Sequence, residues 1–449
     1  MKKKKFIRQA QDKPEIVAPA GSLEKMKYAF KYGADAVYCG IPDFSLRARI
    51  NMFGTKEVIE GIRYAHKKGK KVYITVNIFA HNEHINKLPQ YLKIFKKELP
   101  DAFIASDPGV IAIIKRELPK ANIHLSTQAN CTNWQAAEAW HKQGVKRVVL
   151  AREVSLKEMK EIKKRVPKLE LEVFVHGAMC MAYSGRCLLS AWMSGRSANL
   201  GDCAQSCRWQ YKKVKSEKGK VKSGGENQEE NKILIQEETR GEPMELIEDE
   251  HGSYIMNSKD LCLIDYLKDL KNAGIDAFKI EGRAKSVHYV ATVVKAYRQV
   301  IDSGYKKSVI EKSKEELYKN VNREYTNAFI KGNFGQGMQN YENRSIGSDW
   351  EFVGQTIEVE SLKFKVKSGG ENEIFVKPHN ALYVGEGIEI VQPKGKNIKM
   401  KVEKIINATN GKEVDSMHGG VKDLFIINVG QKVEPMSIIR KYKNLESRK

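Results

Sequence analysis

The sequence predicts an α/β protein: a TIM-type (β/α)8 barrel with an insertion after strand seven, followed by a small all-β barrel domain. Between residues 14 and 305, short apolar or β-branched runs alternate with longer amphipathic segments, which is the pattern of a parallel barrel. Gly33, Gly144 and Gly274 each end a predicted helix just before the next predicted strand, so one structural unit recurs. A doubly wound sheet is the alternative, but eight regular units without a phosphate-binding glycine motif favour a closed barrel.

Eight predicted strands form the barrel, and each is a short apolar run that stops at a turn or polar residue. They are Glu15–Ala20, Ala36–Gly40, Lys71–Asn77, Ala102–Asp107, Asn122–Gln128, Arg147–Ala151, Leu169–Gly177 and Ala277–Gly282. The segments between and after them have apolar residues at helical spacing. These predicted helices are Leu23–Tyr32, Lys56–Lys68, Ile85–Glu98, Val110–Leu118, Trp134–Gln143, Leu156–Val166 and Val287–Ser303.

The domain boundaries follow from changes in composition. Residues 1–13 form a basic tail, residues 14–345 the barrel, and residues 351–441 the C-terminal β-barrel, which is a possible RNA-binding domain. A charged β-hairpin excursion at 209–257 interrupts the barrel between strands seven and eight. Short strands separated by Gly, Asn or Pro turns are typical of small β-barrels. Those predicted here are Gly354–Val359, Lys363–Val366, Glu373–Val376, Gly387–Val391, Met400–Ile406 and Leu424–Asn428.

Four of the seven cysteines lie within residues 180–207, just past the seventh predicted strand: Cys180, Cys187, Cys203 and Cys207. Thiolates select zinc, copper(I) or iron–sulfur clusters. A disulfide framework is disfavoured in a long chain without a secretion signal. Zinc sites usually pair ligands two to four residues apart, whereas the gaps here are six, fifteen and three residues. A 4Fe–4S cluster therefore ranks first, zinc second, and four unrelated packed thiols third.

Polar residues follow several predicted strands, where the active site of a (β/α)8 barrel lies. The candidate catalytic residues are His176, Glu172 and Glu281, and the candidate substrate-binding residues are Arg283, Arg47, Asn77 and Gln128. An arginine fork suits bidentate capture of a carboxylate. The structural alternative for Arg283 is a salt bridge with Glu281 or Glu172. No Gly-x-Ser-x-Gly or His-Glu-x-x-His motif occurs, so a peptidase mechanism has little residue-level support.

The charge balance is the main global feature. A formal net charge of +23 favours a polyanionic partner such as nucleic acid, although a lysine-rich proteome is the alternative explanation. Lysine outnumbers arginine, which indicates phosphate attraction rather than base readout. No apolar run is long enough to span a membrane, and the basic start is not followed by an apolar stretch. The sequence therefore predicts a cytoplasmic protein with no membrane partner.

Three motifs resemble peptidase family U32. They are Glu172-x-Phe174-x-x-Gly177-Ala178-Met179-Cys180 continued by Gly185-x-Cys187-x-Leu189-Ser190, the opening segment Pro14 to Ser22, and Lys279-Ile-Glu-Gly-Arg283. The family is named for collagenase-like proteases, but many members resemble tRNA hydroxylation proteins. The resemblance to those members implies formation of 5-hydroxyuridine at the tRNA wobble position, with prephenate as a required metabolite. Related proteins with similarly placed cysteines carry a 4Fe–4S cluster.

The sequence and this resemblance together give a hypothesis with two alternatives. The hypothesis is a tRNA uridine hydroxylase that uses a 4Fe–4S cluster, binds tRNA along its lysine-rich surface, and takes prephenate or a similar small carboxylate. The first alternative is a collagenase-like peptidase, and the second is a non-catalytic RNA-binding scaffold. The sequence does not fix the oligomeric state, the oxygen source or the tRNA.

Overall fold

The computed structural model describes residues 13–45, 53–180, 182, 184, 187, 189–194, 196, 202–209, 211–214, 233–237, 244–246, 258–332, 348–357, 372–421 and 423–443. Its first seven strands are β1 (Glu15–Pro19), β2 (Ala36–Gly40), β3 (Lys71–Val76), β4 (Ala102–Ala105), β5 (Ile123–Leu125), β6 (Arg147–Val149) and β7 (Glu170–Ala178). Four further strands come next along the chain: β8 (Tyr211–Val214), β9 (Ile233–Glu237), β10 (Met244–Leu246) and β11 (Asp260–Cys262).

The barrel closes through β12 (Ala277–Ile280), which pairs in parallel with both β1 and β7. All neighbouring pairs from β1 to β7 are also parallel. The predicted eight-stranded barrel is therefore confirmed, with the strands one to three residues shorter at their ends than most of the predicted runs.

Helices cover the outside of the barrel. They are α1 (Leu23–Lys31), α2 (Thr55–Lys67), α3 (Asn82–Leu92), α4 (Pro108–Glu117), α5 (Trp134–Lys142), α6 (Leu156–Arg165), α7 (Leu189–Ser194), α8 (Leu267–Asn272), α9 (Val287–Asp302) and α10 (Lys307–Tyr318). Local sequence explains where several of them begin. The side chains of Ser22, Asp107, Asn133, Ser155 and Ser286 each accept a hydrogen bond from a backbone N–H in the first turn.

The segment between β7 and β12 contains elements that the sequence analysis did not predict. Strands β8, β9 and β10 form an antiparallel sheet, in line with the expected hairpin excursion. Beyond it, β11 pairs antiparallel with β7 and parallel with the short strand β13 (Tyr325–Thr326), so the sheet extends past the barrel wall. Cys262, the last cysteine of the chain, lies in β11.

The C-terminal domain is an antiparallel half-barrel. Its strands are β14 (Trp350–Ile357), β15 (Glu373–Pro378), β16 (Leu382–Tyr383), β17 (Gly387–Val391), β18 (Ile398–Lys401), β19 (Ile405–Asn407), β20 (Glu413–Val414), β21 (Ser416–Met417), β22 (Phe425–Asn428) and β23 (Ile438–Tyr442). Eight of them follow the order β18-β17-β23-β14-β15-β22-β19-β20, and β16 pairs with β21. The predicted single strand Met400–Ile406 is split into β18 and β19. The predicted strand Lys363–Val366 lies outside the described residues.

Buried polar contacts fix this domain to the outside of the barrel. The Tyr32 hydroxyl at the end of α1 donates to the carbonyl oxygens of Val391 and Met436, 2.7 and 3.1 Å away. From α9, the Lys295 ammonium donates to the Gln392 carbonyl oxygen at 2.7 Å. The half-barrel therefore contacts the barrel through hydrogen bonds from both α1 and α9.

A buried ionic network fills the interior of the barrel beneath its C-terminal opening. The Arg147 guanidinium lies 2.8 Å from the Glu15 carboxylate and 3.0 Å from the Glu172 carboxylate. The Lys279 ammonium donates to the other oxygen of Glu172 at 2.6 Å, and Lys71 contacts Glu15 at 2.6 Å. Charges buried this deeply need partners, so the network holds β1, β3, β6, β7 and β12 together around one centre.

Candidate active site at the barrel mouth

A cavity of about 90 Å³ opens at the C-terminal ends of the barrel strands. Four predicted site residues line it: Asn77 after β3, Gln128 after β5, and Glu281 and Arg283 after β12. Cys180, the first of the four clustered cysteines, lines it as well. The structure therefore brings these five residues together at the opening, where the active sites of (β/α)8 barrels lie.

Two hydroxyl groups contact Arg283. Its Nη1 donates to Ser45 Oγ at 2.5 Å and to Thr75 Oγ1 at 3.1 Å. The backbone leaves space for this arrangement at Gly40, because a Cβ there would lie 2.2 Å from Ser45 Oγ and 2.8 Å from Arg283 Nη1. These hydroxyl partners orient the guanidinium, and its planar fork suits capture of a carboxylate.

Arg152 is a lining residue that the sequence analysis missed. It follows β6, and its guanidinium carbon lies 3.9 Å from the centre of the Phe174 ring. Its Nη2 is 3.9 Å from a carboxylate oxygen of Glu281. Its buried Nε has no hydrogen-bond partner among the described residues. The signal available in the sequence was its position, directly after the sixth apolar run, where strand-end residues point into the mouth.

Glu281 and Lys279 complete the charged lining. The Tyr38 hydroxyl donates to Glu281 Oε2 at 3.2 Å, which orients that carboxylate at the mouth. Lys279 lies deeper, at the floor of the cavity, with its ammonium 4.4 Å from the centre of the Tyr38 ring. Burial lowers the pKa of Lys279, and the neighbouring Glu172 carboxylate acts in the opposite direction. Sequence reasoning missed Lys279 as a lining residue, although it lies in the Lys279–Arg283 motif.

Two predicted catalytic residues do not line the cavity. Glu172 lies beneath the floor, fully buried between Arg147 and Lys279. His176 faces the other side of β7, where its ring packs 5.5 Å from the Tyr297 ring and 5.3 Å from the Tyr325 ring. Burial lowers the pKa of His176 to about 4, so its imidazole is neutral at pH 7. Arg47, the remaining predicted residue, lies outside the described residues.

The four clustered cysteines all carry free thiols. Cys180 and Cys203 are exposed, and Cys187 and Cys207 are partly exposed. Thiol groups that are accessible in this way are suitable ligands for a soft metal centre. Within the described part of the chain, no three His, Cys, Asp or Glu side chains are arranged to hold a metal ion. The chemistry of the four thiol donors fits a soft metal centre.

Cys39 does not belong to that group. It faces the helices outside β2 and is fully buried. Burial raises the pKa of its thiol to about 12, which keeps it protonated and unreactive at pH 7.

In the described residues, no helix combines the length and apolar character needed to cross a membrane.

Comparison with known families and proteins gives clear matches. The model of peptidase family U32 matches residues 21–340, and that of the U32 C-terminal domain matches residues 348–440.

Named relatives match over nearly the whole chain. "tRNA hydroxylation protein P" of Haemophilus influenzae is 39% identical, covering 94% of this chain and 95% of its own. The Escherichia coli protein of the same name is 40% identical, over 88% and 90%. A "Collagenase" of Porphyromonas gingivalis is 32% identical, over 87% and 89%.

Proposed function

Because this chain belongs to peptidase family U32, we propose that it takes part in the hydroxylation of tRNA. The observation that carries the proposal is the near full-length similarity to two proteins named for tRNA hydroxylation, at 39% and 40% identity. The charge supports it, since a net charge of +23 favours binding to a phosphate backbone. A tRNA substrate is also consistent with the cytoplasmic location expected from the sequence.

The finer part of the proposal is conversion of the wobble uridine to 5-hydroxyuridine with prephenate as the small co-substrate. Prephenate carries two carboxylates, and the mouth cavity offers the guanidinium groups of Arg152 and Arg283. Planar guanidinium groups bind carboxylates in a bidentate manner. Asn77 and Gln128 add neutral amide groups at the same opening, which can orient hydroxyl or carbonyl oxygens.

We also propose that Cys180, Cys187, Cys203 and Cys207 hold a 4Fe–4S cluster, with zinc as the alternative. When bound, such a cluster supplies electron transfer next to the mouth. The chain's own residues bind and orient the small acid: Arg283, fixed by Ser45 and Thr75, holds a carboxylate. Glu281, oriented by Tyr38, is placed to accept a proton at Oε1 or Oε2.

The peptidase alternative requires either a nucleophile next to a base or a metal with a bound water. Cys180 lines the mouth, but His176 packs among tyrosines on the other side of β7. The two side chains therefore do not form such a pair. No observation at this site favours peptide hydrolysis over tRNA hydroxylation.

Loss of tRNA hydroxylation in an Arg283→Lys variant is the first expected result. Lysine keeps the charge but not the fork, and a hydrogen bond to a charged group contributes roughly 1.5–3 kcal/mol, or about 10- to 100-fold in binding. The measurement is mass spectrometry of tRNA nucleosides from cells that lack their own hydroxylation protein and express wild type or variant. Arg116→Lys, an exposed arginine paired with Glu117, is the matched control and should restore hydroxylation.

Failure of the wild-type chain to restore hydroxylation would exclude the proposed function. Full hydroxylation with Arg283→Lys would exclude the carboxylate-binding role of Arg283. If cysteine variants also kept full hydroxylation, the non-catalytic scaffold would become the preferred interpretation.

Loss of iron in a Cys187→Ser variant is the second expected result. Anaerobically purified wild type should contain about four irons and four sulfides per chain, as a Cys-four ligand set holds in a 4Fe–4S cluster. Removing one thiolate should abolish the broad absorption of the cluster. Cys131→Ser, which changes a buried thiol outside the group of four clustered cysteines, is the control and should keep its iron. One zinc and no iron in wild type would contradict the cluster.

A further inference from the structure

Lys279 is the one primary amine among the described residues that line the mouth cavity. It projects from β12 into the barrel, and only 3% of its surface is exposed to solvent. Its ammonium lies 2.6 Å from Glu172 Oε1 and 4.4 Å from the centre of the Tyr38 ring. An amine at the floor of a substrate cavity, with a carboxylate in direct contact, has the surroundings that nucleophilic amine chemistry requires.

Charged groups around the cavity act on this amine in both directions. The Glu172 carboxylate, in direct contact, and Glu281 raise the pKa of Lys279, whereas the Arg147 guanidinium lowers it. Guanidinium groups keep their protons, so Lys279 is the cation of the described cavity lining that can release one.

Burial favours the neutral form of Lys279. It is the largest influence on Lys279 and lowers the pKa, with Arg147 adding to the effect, while Glu172 and Glu281 oppose it. The net direction is downward, which increases the fraction of neutral amine near pH 7.

We propose that Lys279 forms a Schiff base with the 2-oxo group of a carboxylate bound in the mouth cavity. This inference deepens the proposed function and rests on it, because it names the substrate class as 2-oxo acids. Prephenate belongs to this class through its 2-oxo acid side chain. In a 2-oxo acid the carbonyl carbon is bonded directly to a carboxylate. An acid held by the guanidinium of Arg283 or Arg152 at the mouth would present that carbon to the amine at the floor.

The step balances without an oxidant or a reductant. The neutral Lys279 nitrogen attacks the C2 carbonyl carbon, a C–N bond forms, and the π electrons of the C=O bond move to oxygen. A proton passes from nitrogen to that oxygen, and Glu172 in contact with the amine is placed to carry it. The hydroxyl group then leaves as water with a second proton, and the nitrogen lone pair forms the C=N bond. The sum is amine plus ketone giving imine plus water.

Reductive trapping tests this proposal with the full-length protein. Wild type is incubated with cyanoborohydride and either pyruvate or phenylpyruvate, and the modified lysine is located by peptide mass spectrometry. We expect the reduced adduct on Lys279, and loss of that adduct in Lys279→Arg. Lys285→Arg, which removes a nearby amine close to the Tyr289 ring, is the matched control and should keep the adduct. Succinate, a dicarboxylate without a carbonyl, should give no adduct.

Absence of an adduct on Lys279 in wild type would overturn the proposal, as would label spread over surface lysines with no preference for this one. This mapping uses wild type alone, so it decides the question even if Lys279→Arg fails to fold. It is also independent of the tRNA assay. A wild-type chain that hydroxylates tRNA but gives no adduct contradicts only the Schiff base, and an adduct without tRNA hydroxylation contradicts only the proposed function.

Discussion

Replacing Arg440 by methionine is expected to lower the free energy of unfolding by about 3–5 kcal/mol, the usual cost of removing one partner of a buried ion pair. Arg440 on β23 is fully buried. Its Nη2 lies 2.6 Å from the carboxylates of both Glu389 on β17 and Glu316 on α10. The substitution leaves Glu389 buried, and among the described residues its remaining ion-pair partner is Lys319 at 3.4 Å.

Denaturant unfolding measures the loss of stability in Arg440→Met, and two further variants serve as comparisons. Lys404→Met removes one partner of an exposed pair with Glu413 and should cost less than about 1 kcal/mol. Combining Arg440→Met with Glu389→Leu should recover much of the loss, because no unpaired buried charge then remains. Equal costs for Arg440→Met and Lys404→Met would show that the buried cluster contributes nothing beyond an ordinary surface pair.

Replacing Arg147 by methionine should have a comparable effect, about 3–5 kcal/mol at neutral pH, and should also change the response to acid. Arg147 contacts both Glu15 and Glu172 in the barrel interior. Burial alone would raise the pKa of Glu15, but the charges of Arg147 and Lys71 outweigh it and lower the pKa to about 2. Ionised Glu15 is therefore stabilised by its partners in the folded state.

The sign of the pH dependence follows from that lowered pKa. The folded value lies below the ordinary 4.5, so Glu15 contributes stability above pH 4.5 and loses it as the pH falls towards 2. In Arg147→Met this contribution shrinks, and stability should fall less steeply between pH 5 and 2. Unfolding curves at several pH values measure it, with Arg63→Met at the exposed Glu98 pair as control. If stability fell equally steeply between pH 5 and 2 in wild type and in Arg147→Met, the stabilisation of ionised Glu15 by Arg147 would be contradicted.

The sequence was sufficient to predict the barrel because its strands and helices alternate regularly and each apolar run is nearly continuous. It was less informative where strands are very short. Strands β11 and β13 have three and two residues, and their pairing depends on tertiary contacts rather than on local pattern. The same holds for β18 and β19, where the predicted strand Met400–Ile406 breaks into two.

The candidate site, like the fold, could be predicted only in part from the sequence. Asn77, Gln128, Glu281 and Arg283 could be placed at the mouth because each directly follows or ends a predicted strand. His176 could not. Simple alternation from Glu172 and Phe174 would place it inside the barrel. The pairing of β7 with β12 shifts by one residue between Lys279 and Ile280, so His176 turns outward to the tyrosines of α9 and β13. A bulge of this kind leaves no mark in a single sequence.

The filled lower half of the barrel has a consequence for the order of events during turnover. Buried side chains, including Val17, Tyr73 and Ile104, close the interior below the cavity, so within the described part of the barrel the cavity is reached from the mouth. A macromolecule as large as tRNA that covers this opening would trap whatever lies beneath it. On the proposed function the small acid must then enter first, and its product can leave only after the RNA has dissociated. The kinetics of substrate binding and product release would then follow a compulsory order, with the small acid binding before the RNA.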